Sequence, residues 1–124
     1  MENKILINKN YLTVIPNGIY KLLSFKMKLK IPFNHIDGAT LDKNILKSNS
    51  LGFRFGTFLP GFYRAGTFYY LNHEKLSFNV KNSSNPVVIQ LYEEPFNRLV
   101  IGVDNPREVV QKINNHITIT YHFK

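Results

Sequence analysis

The chain of 124 residues contains no cysteine. That single absence excludes disulfides, thiolate nucleophiles and cysteine zinc sites, and it favours a cytoplasmic setting over an oxidising one. Long apolar runs are missing too. Nothing approaches the roughly 18 residues of a spanning helix, and MENKILINKN lacks the charged-then-apolar pattern of a secretory leader. The expectation is a soluble intracellular protein. Acidic residues are also few, eight against sixteen lysines and arginines. The resulting charge of +8, with a pI near 9.8, favours encounter with nucleic acid or an anionic membrane. Eight lysines and three acids precede Leu51, so the excess leans toward the first half without forming a block. A solvated, mildly basic surface has the same signature.

What is present is ordinary globular material. Hydrophobic residues make up 44% and charged residues 19%, and the length fits one domain spanning residues 1–124. Period-two alternation dominates. Phe25, Met27, Leu29 and Ile31 interleave with Lys26, Lys28 and Lys30, which predicts a strand with one core face and one wet face. Pro16-Asn17-Gly18 and Pro32-Phe33-Asn34 separate this strand from LTVI before it and HIDGATL after it. Further on, AGTFYYL and KLSFNVK flank Asn72-His73-Glu74, and VVIQLY and RLVIGV flank Glu93 to Asn97, with NSSNP joining the two hairpins. The count is seven antiparallel strands between about Tyr11 and Val103, with KILI as an extra piece of the first.

The period then changes. In DNPREVVQKINNH, Asn105 is placed to cap, Pro106 suits the first helical position, and Glu108 follows three residues after the cap. Val109, Val110, Ile113 and Ile117 form an apolar stripe at helical spacing, predicting one helix over about 105–116. The remaining ITITYHFK returns to alternation and reads as a strand over 117–124. It is open to two readings, an edge strand of this domain or one that pairs with a second molecule.

Residues 51–70, LGFRFGTFLPGFYRAGTFYY, concentrate glycine and aromatics. They contain neither GxxxxGK with a following Ser or Thr nor GxGxxG, and no helix follows, so a phosphate cradle is excluded. The glycines read as bends and bulges in a crowded aromatic sheet. Arg54, Phe58, Tyr63 and Arg64 are the residues expected to point outward there, toward a partner. Arg54, Phe55, Tyr63 and Arg64 would also make a platform for single-stranded nucleic acid, although phenylalanines in a small β domain are more simply core.

LSFKMKLKIPFNHIDGATL at Leu23 to Leu41, LPGFYRAGTFYY at Leu59 to Tyr70, and VVIQLYEEPFNRLVIGVDNPREVVQKI at Val87 to Ile113 resemble a bacterial group of pleckstrin-homology-like (PH-like) domain proteins. The resemblance covers most of the chain and rests on structural punctuation. It implies a mainly β barrel or sandwich of about seven antiparallel strands in two near-orthogonal sheets, capped by one C-terminal helix. The group has no established common biochemical function. Eukaryotic members that bind phosphoinositides carry a basic pattern ending in arginine. Here Lys21, Lys26 and Lys28 occupy the comparable region with lysine last, and an ammonium lacks the planar fork that grips phosphate twice.

No catalytic constellation is visible. His35, His73, His116 and His122 are scattered, Asp37 and Asp42 fall on no shared strand face, Glu93 and Glu94 are adjacent in a turn, and there is no GxSxG elbow. The sequence therefore predicts a binding or scaffold module without enzymatic activity, metal or cofactor, its partner a protein or peptide met at a sheet edge or a loop. Two alternatives stand beside it. One is peripheral attachment to anionic lipid through Lys21, Lys26, Lys28 and Lys30. The other is an enzyme in which folding brings His35 or His73 to Asp37, Asp42 or Glu74.

Overall fold

A computed structural model describes residues 2–18, 28–47, 52–59, 62–70 and 73–122, with backbone alone for 47, 52–59 and 119–122. The described strands are β1 (Asn3–Ile7), β2 (Tyr11–Pro16), β3 (Leu29–Pro32), β4 (Ile36–Leu41), β5 (Gly52–Leu59), β6 (Tyr63–Tyr69), β7 (Lys75–Lys81), β8 (Val87–Leu91) and β9 (Arg98–Ile101). One helix, α1 (Pro106–His122), follows them. The strands form a three-stranded sheet, β1-β2-β3, and a six-stranded sheet, β4-β8-β9-β7-β6-β5. The mainly β architecture with a C-terminal helix is as the sequence predicts.

Three details differ. KILI belongs to a strand of its own, β1, antiparallel to β2. The reversal is local chemistry: the Asn8 side-chain oxygen accepts from the backbone N–H of Asn10 at 2.9 Å and of Tyr11 at 2.7 Å, which closes a turn. The sheets are not wholly antiparallel either. The β8-β9 hairpin inserts so that β9 lies parallel to β7, with Phe78 opposite Val100. Finally, residues 117–122 are helical and not a strand. Ile117 falls four residues after Ile113, and both are buried on one stripe. Thr118 returns its hydroxyl to the Asn114 carbonyl at 3.0 Å, so β-branched residues are held helical by packing that outweighs their weak propensity.

The middle of the larger sheet, at β7 and β9, is buried on both faces. Leu12, Val14 and Ile31 of the small sheet meet Ile89, Leu99 and Ile101 of the large one, and Ile113 of α1 closes this core. A second cluster, Phe68, Phe78, Val80, Val88 and Val100, occupies the opposite face beneath Ile45. That accounts for the near-continuous apolar run at VVI. The β4 edge is covered. Asn114 of α1 accepts from Ala39 N–H and donates to Ala39 C=O, both at 2.9 Å, so one side-chain amide stands in for a neighbouring strand.

Candidate functional site

β1 is an edge strand, and its alternation decides which backbone groups face outward. Asn8 N–H donates to Tyr11 C=O at 3.0 Å while Asn3 N–H donates to Gly102 C=O at 3.1 Å, so even-numbered residues pair with β2 and odd-numbered ones face the other way. Asn3 makes an isolated parallel bridge to Val103. That pairing goes no further. Asn105 takes a positive φ of 50°, a conformation asparagine tolerates, and the chain turns away into α1. The N–H and C=O groups of Ile5 and Ile7 consequently point into a strand-shaped space, and among the described residues nothing pairs with them.

α1 forms the other wall of that space. At the Asn3 end a groove of about 380 Å³ is lined by Asn3, Lys4, Ile5, Val103, Asp104 and Val109. At the Ile7 end one of about 470 Å³ is lined by Ile5, Ile7, Val109, Lys112, Asn115 and His116. The two adjoin at Ile5 and Val109, which line both. The floor is apolar and the rim charged. Glu108 does not reach back as a capping box would; it pairs with Lys112 one turn on, at 2.9 Å. His116 is fixed by a ring contact with Phe33 at 4.0 Å and by a hydrogen bond between its Nε2 and the Lys9 carbonyl at 2.8 Å.

The residues singled out from the sequence lie elsewhere. Tyr63 does not point outward: it is buried, and its hydroxyl donates to Asn79 Oδ1. An aromatic one residue before Arg64 on a two-sided sheet must face the opposite core, which explains the reversal. Arg64 is half-buried, its guanidinium 5.1 Å and 4.9 Å from the ring centres of Phe68 and Phe78. It covers the second core with a cation on aromatic faces. Arg54 and Phe58 lie on β5, where only the backbone is described, paired with β6 through Phe58 opposite Arg64. Of the lysines, Lys28 and Lys30 are exposed, with Lys30 Nζ 4.4 Å from the centre of the Tyr11 ring. Lys21 and Lys26 fall outside the described residues.

The histidine partners also differ from those expected. His35 meets neither Asp37 nor Asp42; its Nδ1 lies 2.7 Å from Glu94 and its Nε2 3.3 Å from Glu93. Glu93 has a φ of 57°, a tight-turn conformation that lets two adjacent acids turn to one ring. No sequence spacing announces a pairing across that distance in the chain. Asp42 accepts from Asn44 N–H at 3.0 Å, Glu74 is held by Arg98, and His73 is exposed at a φ of 66°. Among the described residues no three His, Asp or Glu side chains are placed to hold one metal ion. The groove residues Ile5 and Ile7 did leave a trace in the sequence. KILI alternates, but four residues of alternation do not reveal which backbone edge stays open.

No family model, curated protein or solved structure matches the chain.

Proposed function

We propose that the protein is a non-enzymatic module, PH-like and cytoplasmic, that takes an extended peptide as an added strand along β1. One observation carries this reading: the outward N–H and C=O groups of Ile5 and Ile7 line an apolar groove whose pairing with Val103 stops after one bridge. Main-chain bonds would supply affinity and the Ile5, Ile7 and Val109 floor would select side chains. A peptide selected from a random display library on the intact protein is expected to slow hydrogen exchange at the Ile5 and Ile7 amides. Ile5→Pro removes an outward donor while leaving the β1-β2 ladder intact, so it should weaken that peptide at least about tenfold. Leu6→Thr, on the opposite face, should not. Selected peptides that bind Ile5→Pro equally well would sink the proposal.

A second reading has its own support in the outer face of the small sheet. Lys4, Leu6, Tyr11, Thr13, Ile15, Lys28 and Lys30 share that face, with Lys4 opposite Ile15 and Thr13 opposite both Leu6 and Lys30. Leu6 is 47% exposed, the described residues of the face include no acid, and Lys28 and Lys30 are the described pair of the predicted lipid set. Lysines around an exposed apolar residue suit an anionic bilayer. Sedimentation with phosphatidylserine vesicles is expected at low salt, to fall at physiological salt, and to be lost in a Lys4/Lys28/Lys30→Gln variant. Absence of sedimentation at low salt would dismiss it.

A further inference from the structure

Resting on the strand-addition reading, we infer that the groove selects one chemistry and one direction: an extended segment running parallel to β1, with alternating apolar residues followed by acidic side chains.

The direction comes from the chain itself. Val103 already pairs with Asn3 in parallel, and a strand position that no described residue occupies continues that same line past Ile5 and Ile7. The bridge at the Asn3 end sets the phase in which Ile5 and Ile7 offer their N–H and C=O groups. At roughly 3.3 Å per residue, four or five peptide residues span the two contiguous grooves. Alternate side chains of such a segment descend onto Ile5, Ile7 and Val109, while the others face solvent.

The rim is polar from end to end. Asp104 stands at the Asn3 end beside Lys4, which the β1 alternation places on the outer face of the sheet, whereas Lys112 and His116 stand at the Ile7 end, with Lys9 joined to His116 through its carbonyl. A parallel segment therefore brings its later residues to the basic end. Lys112 is 63% exposed and its partner Glu108 55% exposed, a surface pair of small net worth. An incoming carboxylate can take Glu108's place at Lys112 with little loss. Positive charge at this end also repels a segment that finishes in lysine, so the rim discriminates as well as attracts.

The experiment uses capped peptides and the full chain. One peptide carries valine at alternate positions followed by two glutamates; a second has the reverse order; a third ends in two lysines. Binding is read from amide chemical shifts, with Ile5 and Ile7 as reporters. The first peptide is expected to bind about tenfold tighter than the others. Lys112→Glu should invert the preference between the glutamate and lysine peptides, and Glu108→Gln, which frees Lys112, should tighten the glutamate peptide about threefold. Both variants change exposed positions, and their unperturbed spectra elsewhere establish that the fold is retained. If all three peptides shift Ile5 and Ile7 equally, and the charge variants change nothing, the inferred selectivity is wrong while strand addition stands. Tighter binding of the reversed peptide overturns the direction. If no peptide moves those amides at millimolar concentration, strand addition fails and this inference with it.

Discussion

Asn79→Leu is expected to destabilise the protein by about 4 kcal/mol, a drop in melting temperature of roughly 15 °C for a domain of this size. Asn79 is buried, and its amide is occupied on both sides. Its oxygen accepts from Tyr63 hydroxyl, and its Nδ2 donates to Asn3 Oδ1 at 2.8 Å. Asn3 in turn donates from Nδ2 to the carbonyls of Asn79 and Gly102, each at 2.9 Å. Leucine keeps the branched shape but is larger, its methyls standing where O and N made hydrogen-bond contacts, so the cost comes from lost hydrogen bonds and crowding and not from a cavity. The buried Tyr63 hydroxyl and the buried Asn3 amide oxygen each lose the bond they make to Asn79, at about 1–3 kcal/mol each. The cause can be isolated. Tyr63→Phe in the leucine background removes the hydroxyl whose bond to Asn79 is already lost, so the double variant should be less destabilised than the two single costs added together. Urea unfolding of the four proteins measures this directly, and strict additivity would show that the hydroxyl and the amide do not act through each other.

The chain Tyr63, Asn79, Asn3 and Gly102 has a functional consequence. Asn3 is the first residue of β1 and belongs to the small sheet, whereas Asn79 lies on β7 of the large one. Their hydrogen bonds tie the start of β1 to β7 and to Gly102, at the end of the groove beside Ile5. A binding site of this kind needs a rigid edge, because any ordering of the edge on binding subtracts from affinity. The polar seam supplies that rigidity where two apolar faces alone would permit sliding.

How much of this was legible in the sequence depends on the range of the interaction. Local signals read well. The alternation around Lys28 and Lys30, the hairpins at His73 and at Glu93 to Asn97, and the helix start at Pro106 each depend on residues close in the chain. The long-range pairings did not read. Asn3 and Asn79 are two unremarkable asparagines, and the parallel seating of β9 against β7 is a choice among sheet orders with the same hairpins. The ITITYHFK error has the same origin. A four-residue stretch of Ile and Thr satisfies both periods, and the choice was made by what Ile113 and Ile117 pack against. The candidate site was hardest of all, since an open edge is defined by the chain's failure to continue beside it.

Gly102→Ala is the second large effect, expected at about 3 kcal/mol, and it examines the same seam from the other side. A Cβ at position 102 would stand 1.9 Å from Glu2 Oε2 and 2.4 Å from its Cδ, closer than any atoms tolerate. The far end of a glutamate normally swings aside cheaply. Here it is fully buried, with Oε2 accepting from Lys81 N–H and Ser84 hydroxyl, both at 2.7 Å. Moving the carboxylate leaves those two donors without their acceptor. It also strains the stretch that carries Asn17 N–H to the Glu2 carbonyl at 2.9 Å and Asn3 N–H to Gly102. Backbone angle is not the reason for glycine at this position, since its φ lies outside the left-handed region. Close approach is, and that makes a specific test available. Glu2→Ala removes the colliding group at its own cost, and in that background Gly102→Ala should be nearly neutral. If the glycine substitution costs the same with and without Glu2, the collision is not its cause, and the seam holds β1 in some other way.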